Sequence, residues 1–378
     1  MDVSLVLTHA CNLGCTYCFA GEKSARRMSD EVMNRALELA FSDDQPTVRI
    51  SLFGGEPTLE WDRVQQVVYE AHALAASSGK ALQLSMTTNA TRIDRGRAAF
   101  LRDAGFYLGI SIDGGAAAHD ATRPKRGGQS SFSQVMAGLT ACLYEGVSFE
   151  TISVVDPANV EYLGESVRWL AGLGVERISL NPNFAASWSE RALLAWERGY
   201  EAAGDLFVER ARLGRALHVN VLSDKMIAYV KGGLTDGDRC HAGRGSIAVA
   251  PSGNIYPCAR MVGEDHGGRA DGIVLGHTST GIDRGRVAVF TALLEPAQDP
   301  EGADESCGSC SIKSRCMRAC ACANREETGE VGLTGGLVCW HEQLATRVAD
   351  RAASQLFLQR NRTLLRVLYA LPIAEGVA

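Results

Sequence analysis

The sequence lacks a membrane-spanning segment and any excess of basic charge. None of its apolar runs reaches the ~18 residues that a transmembrane helix needs. The 378 residues carry 38 Lys and Arg against 44 Asp and Glu, a formal net charge of −6, whereas nucleic-acid-binding domains are typically basic. The start, MDVSLVLTHACNLGC, lacks the basic region and small-residue cleavage site of a signal peptide. We therefore expect no membrane partner, no nucleic-acid partner and a cytoplasmic location.

Cysteine is too sparse for a scaffold held together by disulfides. The chain has 12 Cys in 378 residues, whereas disulfide scaffolds are short chains in which Cys exceeds ~8–10%. In a reducing compartment, clustered thiols indicate metal or redox chemistry instead. Because eight of the 12 Cys lie between Cys240 and Cys339 and three lie between Cys11 and Cys18, their grouping is the first clue to function.

Short β-branched runs alternate with amphipathic stretches over the first half of the chain. The predicted strands are Val3–Thr8, Val48–Phe53, Leu82–Thr88, Tyr107–Ile112, Thr151–Val155 and Arg177–Asn181. Such alternation is typical of βαβ units and a parallel sheet. Six units without a dinucleotide fingerprint favour an α/β fold, a partial (β/α)6 barrel of the TIM type. An open doubly wound sheet is the alternative, and in both folds function lies at the carboxyl ends of the strands.

The second half of the chain has a different composition. We predict a barrel over residues 1–212, a linker or bridging segment over 213–234, a Gly- and Cys-rich domain over 235–345 and a C-terminal helical segment over 346–378. Within the third segment, the pattern SIAVAPSGNIYPC predicts a hairpin that turns at Ser252-Gly253-Asn254.

The first cysteine group follows the first predicted strand directly. Cys11, Cys15 and Cys18 form the spacing C-x3-C-x2-C. Three thiolates in one loop hold three irons of a [4Fe–4S] cluster and leave the fourth iron without a protein ligand, whereas ferredoxins supply four cysteines per cluster. Structural zinc needs four ligands, and His9 is the one further donor nearby. The spacing therefore favours an open iron–sulfur cluster.

The loop CNLGCTYCF resembles the cluster loop of radical S-adenosylmethionine (SAM) enzymes. Further motifs similar to that family follow the next predicted strands: FGGEP, TTN and SIDG. The SAM contacts that the resemblance implies are Tyr17, Gly54, Gly55, Glu56, Asn89, Ser111, Asp113 and Arg123. In the family the Glu receives the methionine ammonium and the Arg pairs with the carboxylate, a pairing that suits a guanidinium. Asn181, which ends the sixth strand, is either an adenine contact or a plain loop residue.

The second cysteine group resembles the seven-cysteine signature of the SPASM domain, which carries two auxiliary iron–sulfur clusters. The spacing is Cys240-x12-Gly253-x4-Cys258, then CGSCSIKSRCMRAC from Cys307 to Cys320, then Cys339. The resemblance implies a distal cluster and a proximal cluster, and hence three [4Fe–4S] clusters in all. The implied distal ligands are Cys307, Cys310, Cys316 and Cys339. The implied proximal ligands are Cys240, Cys258 and Cys320.

One ligand is missing from this signature. Two such clusters need eight thiolates, and the signature provides seven. Some relatives have a further cysteine soon after the first, but residues 241–246 contain none. Either Cys322 completes the proximal cluster, or one iron stays open for a substrate thiol or another ligand. The remaining Cys142 has helical spacing from Val135 and Leu139, which predicts a core position.

The resemblance implies a radical SAM peptide maturase. Such an enzyme cleaves SAM reductively to a 5′-deoxyadenosyl radical, removes hydrogen from a residue of a ribosomally made precursor peptide and installs a thioether or C–C crosslink or a related oxidation. No catalytic residue is predicted beyond the radical cluster. The alternatives are a sulfatase maturase that makes formylglycine and a non-catalytic iron–sulfur electron carrier. The expected partners are the precursor peptide, a separate leader-binding protein and an external one-electron donor of the flavodoxin or ferredoxin type.

Overall fold

The computed structural model describes residues 1–266, 273–294, 305–318 and 320–369. These residues form one mixed sheet of 11 strands in the order β11-β10-β9-β8-β1-β2-β3-β4-β5-β6-β7. The strands are β1 (Asp2–Thr8), β2 (Thr47–Gly54), β3 (Ala81–Thr88), β4 (Phe106–Ser111), β5 (Ser148–Val155), β6 (Arg177–Pro182), β7 (His218–Val219), β8 (Ser246–Val249), β9 (Asn254–Tyr256), β10 (Gly276–His277) and β11 (Gly281–Ile282).

The helices cover the sheet and connect its strands. They are α1 (Asp30–Phe41), α2 (Trp61–Ser78), α3 (Arg95–Asp103), α4 (Ala116–Thr122), α5 (Phe132–Glu145), α6 (Leu163–Gly172), α7 (Glu190–Arg212), α8 (Asn220–Val230), α9 (Arg284–Leu294), α10 (Glu305–Gly308), α11 (Ala321–Thr328), α12 (Gly336–Leu358) and α13 (Arg362–Tyr369). None of the described helices is both long and apolar enough to span a bilayer.

The first seven strands are parallel neighbours in chain order, which confirms the α/β partial barrel. Helices connect each of the first six strands to the next, so each unit is a βα crossover. The sheet ends at β7 on one side and at β11 on the other and does not close. All six predicted strands are present, because their β-branched runs are buried on alternate residues or throughout.

Residues 213–234, for which we predicted a linker, continue the strand–helix pattern. Strand β7 pairs in parallel with β6, with Arg177 opposite His218, and helix α8 follows at once. A strand of two residues is too short to show a period-2 pattern, so it cannot be predicted from periodicity. The parallel part of the sheet therefore has one strand more than the six predicted.

Strand β8 joins the second half of the chain to the first. It pairs in parallel with β1, with Asp2 opposite Ser246 and Leu5 opposite Val249. The predicted hairpin is present, but its turn begins earlier, at Ala250, whose carbonyl accepts a hydrogen bond from the Gly253 amide at 2.9 Å. Gly253 has a φ of +88°, and Asn254 already belongs to β9.

Helix α12 begins within the region predicted as Cys-rich and packs against α7 and α8. Its His341 ring lies in the core and contacts the Tyr200 hydroxyl at 3.0 Å. Trp196 packs against both of these side chains. The predicted C-terminal helical segment is occupied by the rest of α12 and by α13, and its final residues, 370–378, lie outside the described residues.

A buried ion pair ties α8 and α12 to the loop between them. Lys225 Nζ donates to Glu342 Oε2 at 2.6 Å and to the Arg315 carbonyl at 3.0 Å. The same carboxylate oxygen accepts the Met317 amide at 2.6 Å. Burial alone would raise the pKa of Glu342, but His341 and Lys225 lower it to about 2. The carboxylate is therefore ionised and holds this loop in place at neutral pH.

We expect Glu342→Gln to destabilise the protein strongly, since it leaves the Lys225 ammonium buried without a counter-charge. Breaking such a pair costs about 3–5 kcal/mol. Urea unfolding of the anaerobic protein measures the change. The matched control is Glu209→Gln, which removes an ion pair with Arg168. The two side chains are 52% and 56% exposed, and such a pair contributes about 1 kcal/mol or less. Equal losses in both variants would contradict the assignment.

Candidate radical cluster and cofactor site

The predicted motifs all lie at one rim of the sheet. The cysteine loop (residues 9–29) follows β1, FGGEP follows β2, TTN ends β3 and SIDG ends β4. Asn181 lies near the end of β6 and is half-buried. Because parallel neighbouring strands carry their carboxyl ends to the same edge, the order of motifs along the chain becomes a ring of side chains around one opening.

Backbone hydrogen bonds hold the cysteine loop in shape. The amides of Gly14 and Thr16 donate to the carbonyls of Pro124 and Thr122 at 2.8 and 2.9 Å. Leu13 also forms an antiparallel bridge with Lys125. The three cysteines are half-buried, and burial raises the pKa of the Cys11 thiol to about 12. The segment that follows α4 therefore fixes the loop that carries the three thiols.

The two glycines of the FGGEP motif let the cysteine loop approach β2 closely. A Cβ on Gly54, whose φ is +135°, would lie 2.5 Å from the Thr8 carbonyl oxygen, and one on Gly55 would lie 2.2 Å from that of Ala10. Both carbonyls also accept hydrogen bonds, from the amides of Gly55 and Glu56 at 2.8 and 2.9 Å. The glycines thus have a structural role in addition to the cofactor contact that the sequence predicts.

Glu56 is buried at 1% exposure and joins the ends of β2 and β3. Its Oε1 accepts the Thr58 amide at 3.0 Å, the Thr58 hydroxyl at 2.6 Å and the Thr88 hydroxyl at 2.7 Å. Its Oε2 accepts the Asn89 amide at 2.6 Å. Burial raises the pKa of Glu56, and these hydrogen bonds oppose that change. The carboxylate is therefore held rigidly at the rim.

Asn89 continues this network into the cysteine loop. Its Nδ2 donates to Asn12 Oδ1 at 3.0 Å and lies 3.9 Å from Cys11 Sγ. Its Oδ1 accepts the Thr91 hydroxyl at 2.6 Å. The end of β3 is therefore connected to the first cysteine through one amide side chain.

Asp113 organises the opposite side of the opening. Its carboxylate accepts the hydroxyls of Tyr17 and Thr122 at 2.5 and 2.6 Å and the Val154 amide at 2.9 Å. Arg123 Nε lies 3.0 Å from Asp113 Oδ1, and the guanidinium lies over the Tyr17 ring at 5.3 Å. Burial opposes the charge on Arg123, but Asp113 raises its pKa above the usual value. These two residues pair with each other, and Ser111, the last residue of β4, is also buried.

The proximal set, Cys240, Cys258, Cys320 and Cys322, meets in one place. The Cys322 thiol forms hydrogen bonds with Cys258 and Cys320, and Cys240 interacts electrostatically with Cys320. No three His, Cys, Asp or Glu side chains among the described residues have the geometry of a single-ion site, whereas a [4Fe–4S] cluster spreads four thiolates over four irons. Four neighbouring thiols fit such a cluster.

The distal set comes from two parts of the chain. Its first three members, Cys307, Cys310 and Cys316, belong to α10 and the loop that follows, and Cys339 lies in the first turn of α12. Glu342, one turn after Cys339, interacts with Cys316 and with its neighbour Met317. The Lys225–Glu342 pair thereby draws the two parts together. Cys142 is fully buried in α5, as its spacing predicts.

Sequence reasoning missed two polar groups that contact the cysteine loop. Asp265 has a fully buried side chain and accepts the Ser252 hydroxyl at 2.6 Å and the Tyr256 hydroxyl at 3.1 Å. It also lies 3.6 Å from His9 Nε2, at the start of the cysteine loop. Lys23 Nζ lies 2.8 Å from Cys18 Sγ. Neither residue belongs to a motif, so neither carries a sequence signal.

The residues of this rim lie in a segment that matches a known family. The sequence model of the radical SAM superfamily matches residues 5–170. Residues 5–170 form a radical SAM domain. The match begins in β1 and ends in α6, and it contains the cysteine loop and the motifs that end β2, β3 and β4. As a radical SAM enzyme, the protein uses SAM and a [4Fe–4S] cluster.

Relatives match beyond the radical SAM domain. The serine-type anaerobic sulfatase-maturating enzyme of Klebsiella aerogenes is 24% identical over 346 residues, 86% of this chain and 80% of that protein. Mycofactocin maturase MftC of Mycobacterium ulcerans is 28% identical over 337 residues, 84% of this chain and 82% of that protein. Both proteins are named as maturases.

Solved structures share the fold at low identity. The enzyme anSMEcpe with bound AdoMet superposes with a TM-score of 0.76 at 17% identity, covering 96% of this chain and 99% of that one. Streptococcus suis SuiB bound to its precursor peptide SuiA gives a TM-score of 0.58 at 16% identity, covering 89% and 75%. This chain therefore shares its fold with these solved structures along nearly its whole length.

We expect Gly55→Ala to disable the radical SAM site, because the new Cβ would lie 2.2 Å from the Ala10 carbonyl oxygen. A backbone atom cannot move aside as the end of a flexible side chain can. A misplacement of about 1 Å costs about 10²-fold in rate. The measurements are SAM cleavage and SAM binding by equilibrium dialysis. The control is Gly172→Ala at the end of α6, where a Cβ meets nothing within 4 Å. SAM binding and cleavage equal to those of this control would contradict a need for the close approach of the cysteine loop to Gly55.

Proposed function

We propose that this radical SAM enzyme is a peptide maturase. It removes hydrogen from a residue of a ribosomally made precursor peptide and installs a thioether or C–C crosslink or a related oxidation. The observation that carries the proposal is the joining of two thiol groups on one sheet. Strand β8 pairs with β1, which joins the segments of the chain that carry the two groups. Relatives named as maturases match this chain over more than four-fifths of its length.

A direct side-chain contact connects the two thiol groups. Arg260 follows Cys258 by two residues, interacts electrostatically with it and pairs with Glu326. Its guanidinium lies 5.5 Å from the centre of the Phe19 ring, and Phe19 follows Cys18 directly. The Arg260 side chain therefore connects the proximal set to the cysteine loop. This arrangement suits an enzyme whose auxiliary clusters bind or oxidise the substrate.

The residues of the rim have distinct tasks in this proposal. Cys11, Cys15 and Cys18 would hold the radical cluster. When bound, that cluster and SAM supply one-electron chemistry strong enough to remove a hydrogen atom from an unactivated carbon. The hydrogen-bonded Glu56 carboxylate holds negative charge where an ammonium group would bind. Buried between Tyr17 and the end of β5, the guanidinium of Arg123 is restricted to one orientation.

The seven-cysteine pattern supports two auxiliary [4Fe–4S] clusters in this enzyme. The proximal set would hold one of them and the distal set the other, which with the radical cluster makes three. In the proposal, a precursor peptide binds between the rim and these clusters. A separate leader-binding protein and an external one-electron donor of the flavodoxin or ferredoxin type complete the system.

A second candidate is the oxidation of a Cys or Ser residue to formylglycine. It is favoured by the sulfatase-maturating relative, which matches 86% of this chain. Both candidates act on a peptide and begin with the same removal of hydrogen. They differ in the product, since a crosslink consumes a second side-chain position whereas formylglycine carries a free aldehyde. The third alternative, a non-catalytic electron carrier, is not supported, because the radical SAM domain and the relatives named as maturases favour an enzyme.

We expect the reduced, iron-loaded enzyme to release 5′-deoxyadenosine from SAM and to change the mass of its precursor peptide. Mass spectrometry of precursor peptides encoded near its gene, incubated anaerobically with the enzyme, measures both. A crosslink removes two hydrogen atoms per bond and joins fragments that otherwise separate. Formylglycine instead reacts with a hydrazide. The control protein carries Cys11→Ala, Cys15→Ala and Cys18→Ala.

Two outcomes would count against the proposal. Formylglycine as the sole product would replace crosslinking by the second candidate. Release of 5′-deoxyadenosine without modification of any peptide would show that the substrate belongs to another chemical class.

A further inference from the structure

Four thiols from three separate parts of the chain converge at the proximal set. Cys240 lies between α8 and β8, and Cys258 follows β9. Cys320 and Cys322 lie at the start of α11. The Cys322 thiol is the centre of the group, since it forms hydrogen bonds with both Cys258 and Cys320. The convergence is thus made by the fold and not by one short loop.

The start of α11 explains how two cysteines only two residues apart reach the same place. Residues two apart inside a helix point in different directions. Cys320, however, is the residue before the first turn and has an extended backbone with φ −74° and ψ 99°. Its side chain is therefore free of the helical rotation. This lets the Cys320 thiol meet the Cys322 thiol, which also interacts with Cys258.

Hydrogen-bond donors and a cation surround these thiols. Backbone amides hydrogen-bond to three of them: those of Ala242 and Ala321 to Cys240, that of Arg260 to Cys258 and that of Ala323 to Cys320. The Arg260 guanidinium interacts electrostatically with Cys258, Cys320 and Cys322. Amide donors and a nearby cation are the environment that stabilises thiolates and tunes iron–sulfur clusters.

We propose that Cys322 is the fourth thiolate ligand of the proximal [4Fe–4S] cluster. The eight thiolates that two auxiliary clusters need are then all present, and each cluster has four. Cys142, which is fully buried in α5, is the one cysteine left without a cluster. The inference rests on the auxiliary clusters of the proposed function.

Full thiolate ligation has a consequence for the substrate. A cluster with four cysteine ligands has no open iron, so a substrate thiol does not coordinate there. The open coordination site of the enzyme is then confined to the radical cluster at Cys11, Cys15 and Cys18. The peptide must be held by protein side chains at the rim.

The test compares Cys322→Ala with Cys142→Ala, a cysteine removed from the core outside the clusters. Both variants are purified anaerobically, and iron content and the electron paramagnetic resonance of the reduced protein are measured with and without added 2-mercaptoethanol. We expect Cys322→Ala either to lose about a third of the iron, the share of one cluster among three, or to show a signal that shifts on adding the thiol. The wild-type auxiliary signals and those of Cys142→Ala do not shift. Cys322→Ser, which keeps a donor oxygen, should retain more iron than Cys322→Ala.

Either of two results would overturn the inference. Cys322→Ala with the iron, the spectrum and the thiol response of Cys142→Ala would show that Cys322 is not a ligand. Alkylation of Cys322 by iodoacetamide in fully iron-loaded protein would show the same. Neither readout depends on a peptide. Iron for three clusters without peptide modification would therefore refute the proposed function alone, whereas iron for one cluster would refute the auxiliary clusters as well.

Discussion

The pairing of β8 with β1 is the contact on which the rest of this structure depends. Strand β1 delivers the chain into the cysteine loop, and β8 continues through a tight turn into β9 and Cys258. Four residue pairs hold the two strands in register, from Asp2–Ser246 to Leu5–Val249. A shift of one residue would turn every side chain to the other face. This register therefore fixes how the second thiol group lies against the first.

Charged groups complete the junction that the strands begin. The Asp265 carboxylate joins the β8–β9 turn to His9 in the cysteine loop, and Arg260 joins the proximal set to Phe19. Burial alone would raise the pKa of Asp265, but hydrogen bonds, among them those from Ser252 and Tyr256, lower it to about 2. The group is thus ionised at neutral pH. These contacts join the two differently composed halves of the chain at the cysteine loop.

The sequence predicts the local elements well and the junction poorly. Strands β1–β6 follow from their β-branched runs, and the motifs at their ends follow from the order of the chain. Strands β7, β10 and β11 have two residues each, which is too short for any periodicity. The pairing of β8 with β1 joins residues more than 240 positions apart, and no local pattern encodes it.

The roles of single residues show the same division. The spacing of cysteines identifies thiol groups but leaves the role of Cys322 undecided. Cys320 and Cys322 meet only because the backbone of Cys320, at the start of α11, is extended and not helical. Gly55 is recognisable as part of a motif, whereas its contact with Ala10 depends on how the loop folds back. Lys225 and Glu342 belong to no motif at all. Their pairing follows from the packing of α8 against α12.

The buried charges of this protein are better explained by position than by stability. Taking two charges out of water costs free energy that their attraction seldom exceeds, so a buried ion pair is weak support for stability. Yet Asp113–Arg123 and Lys225–Glu342 are both buried, and each lies within one helical turn or one side chain of a cysteine. Apolar residues of similar volume would fill these places at less cost but would let the loops slide. Directional hydrogen bonds and ion pairs at the edges of the thiol groups instead restrict the loops to one arrangement. Chemistry that depends on the placement of reacting atoms needs such a restriction.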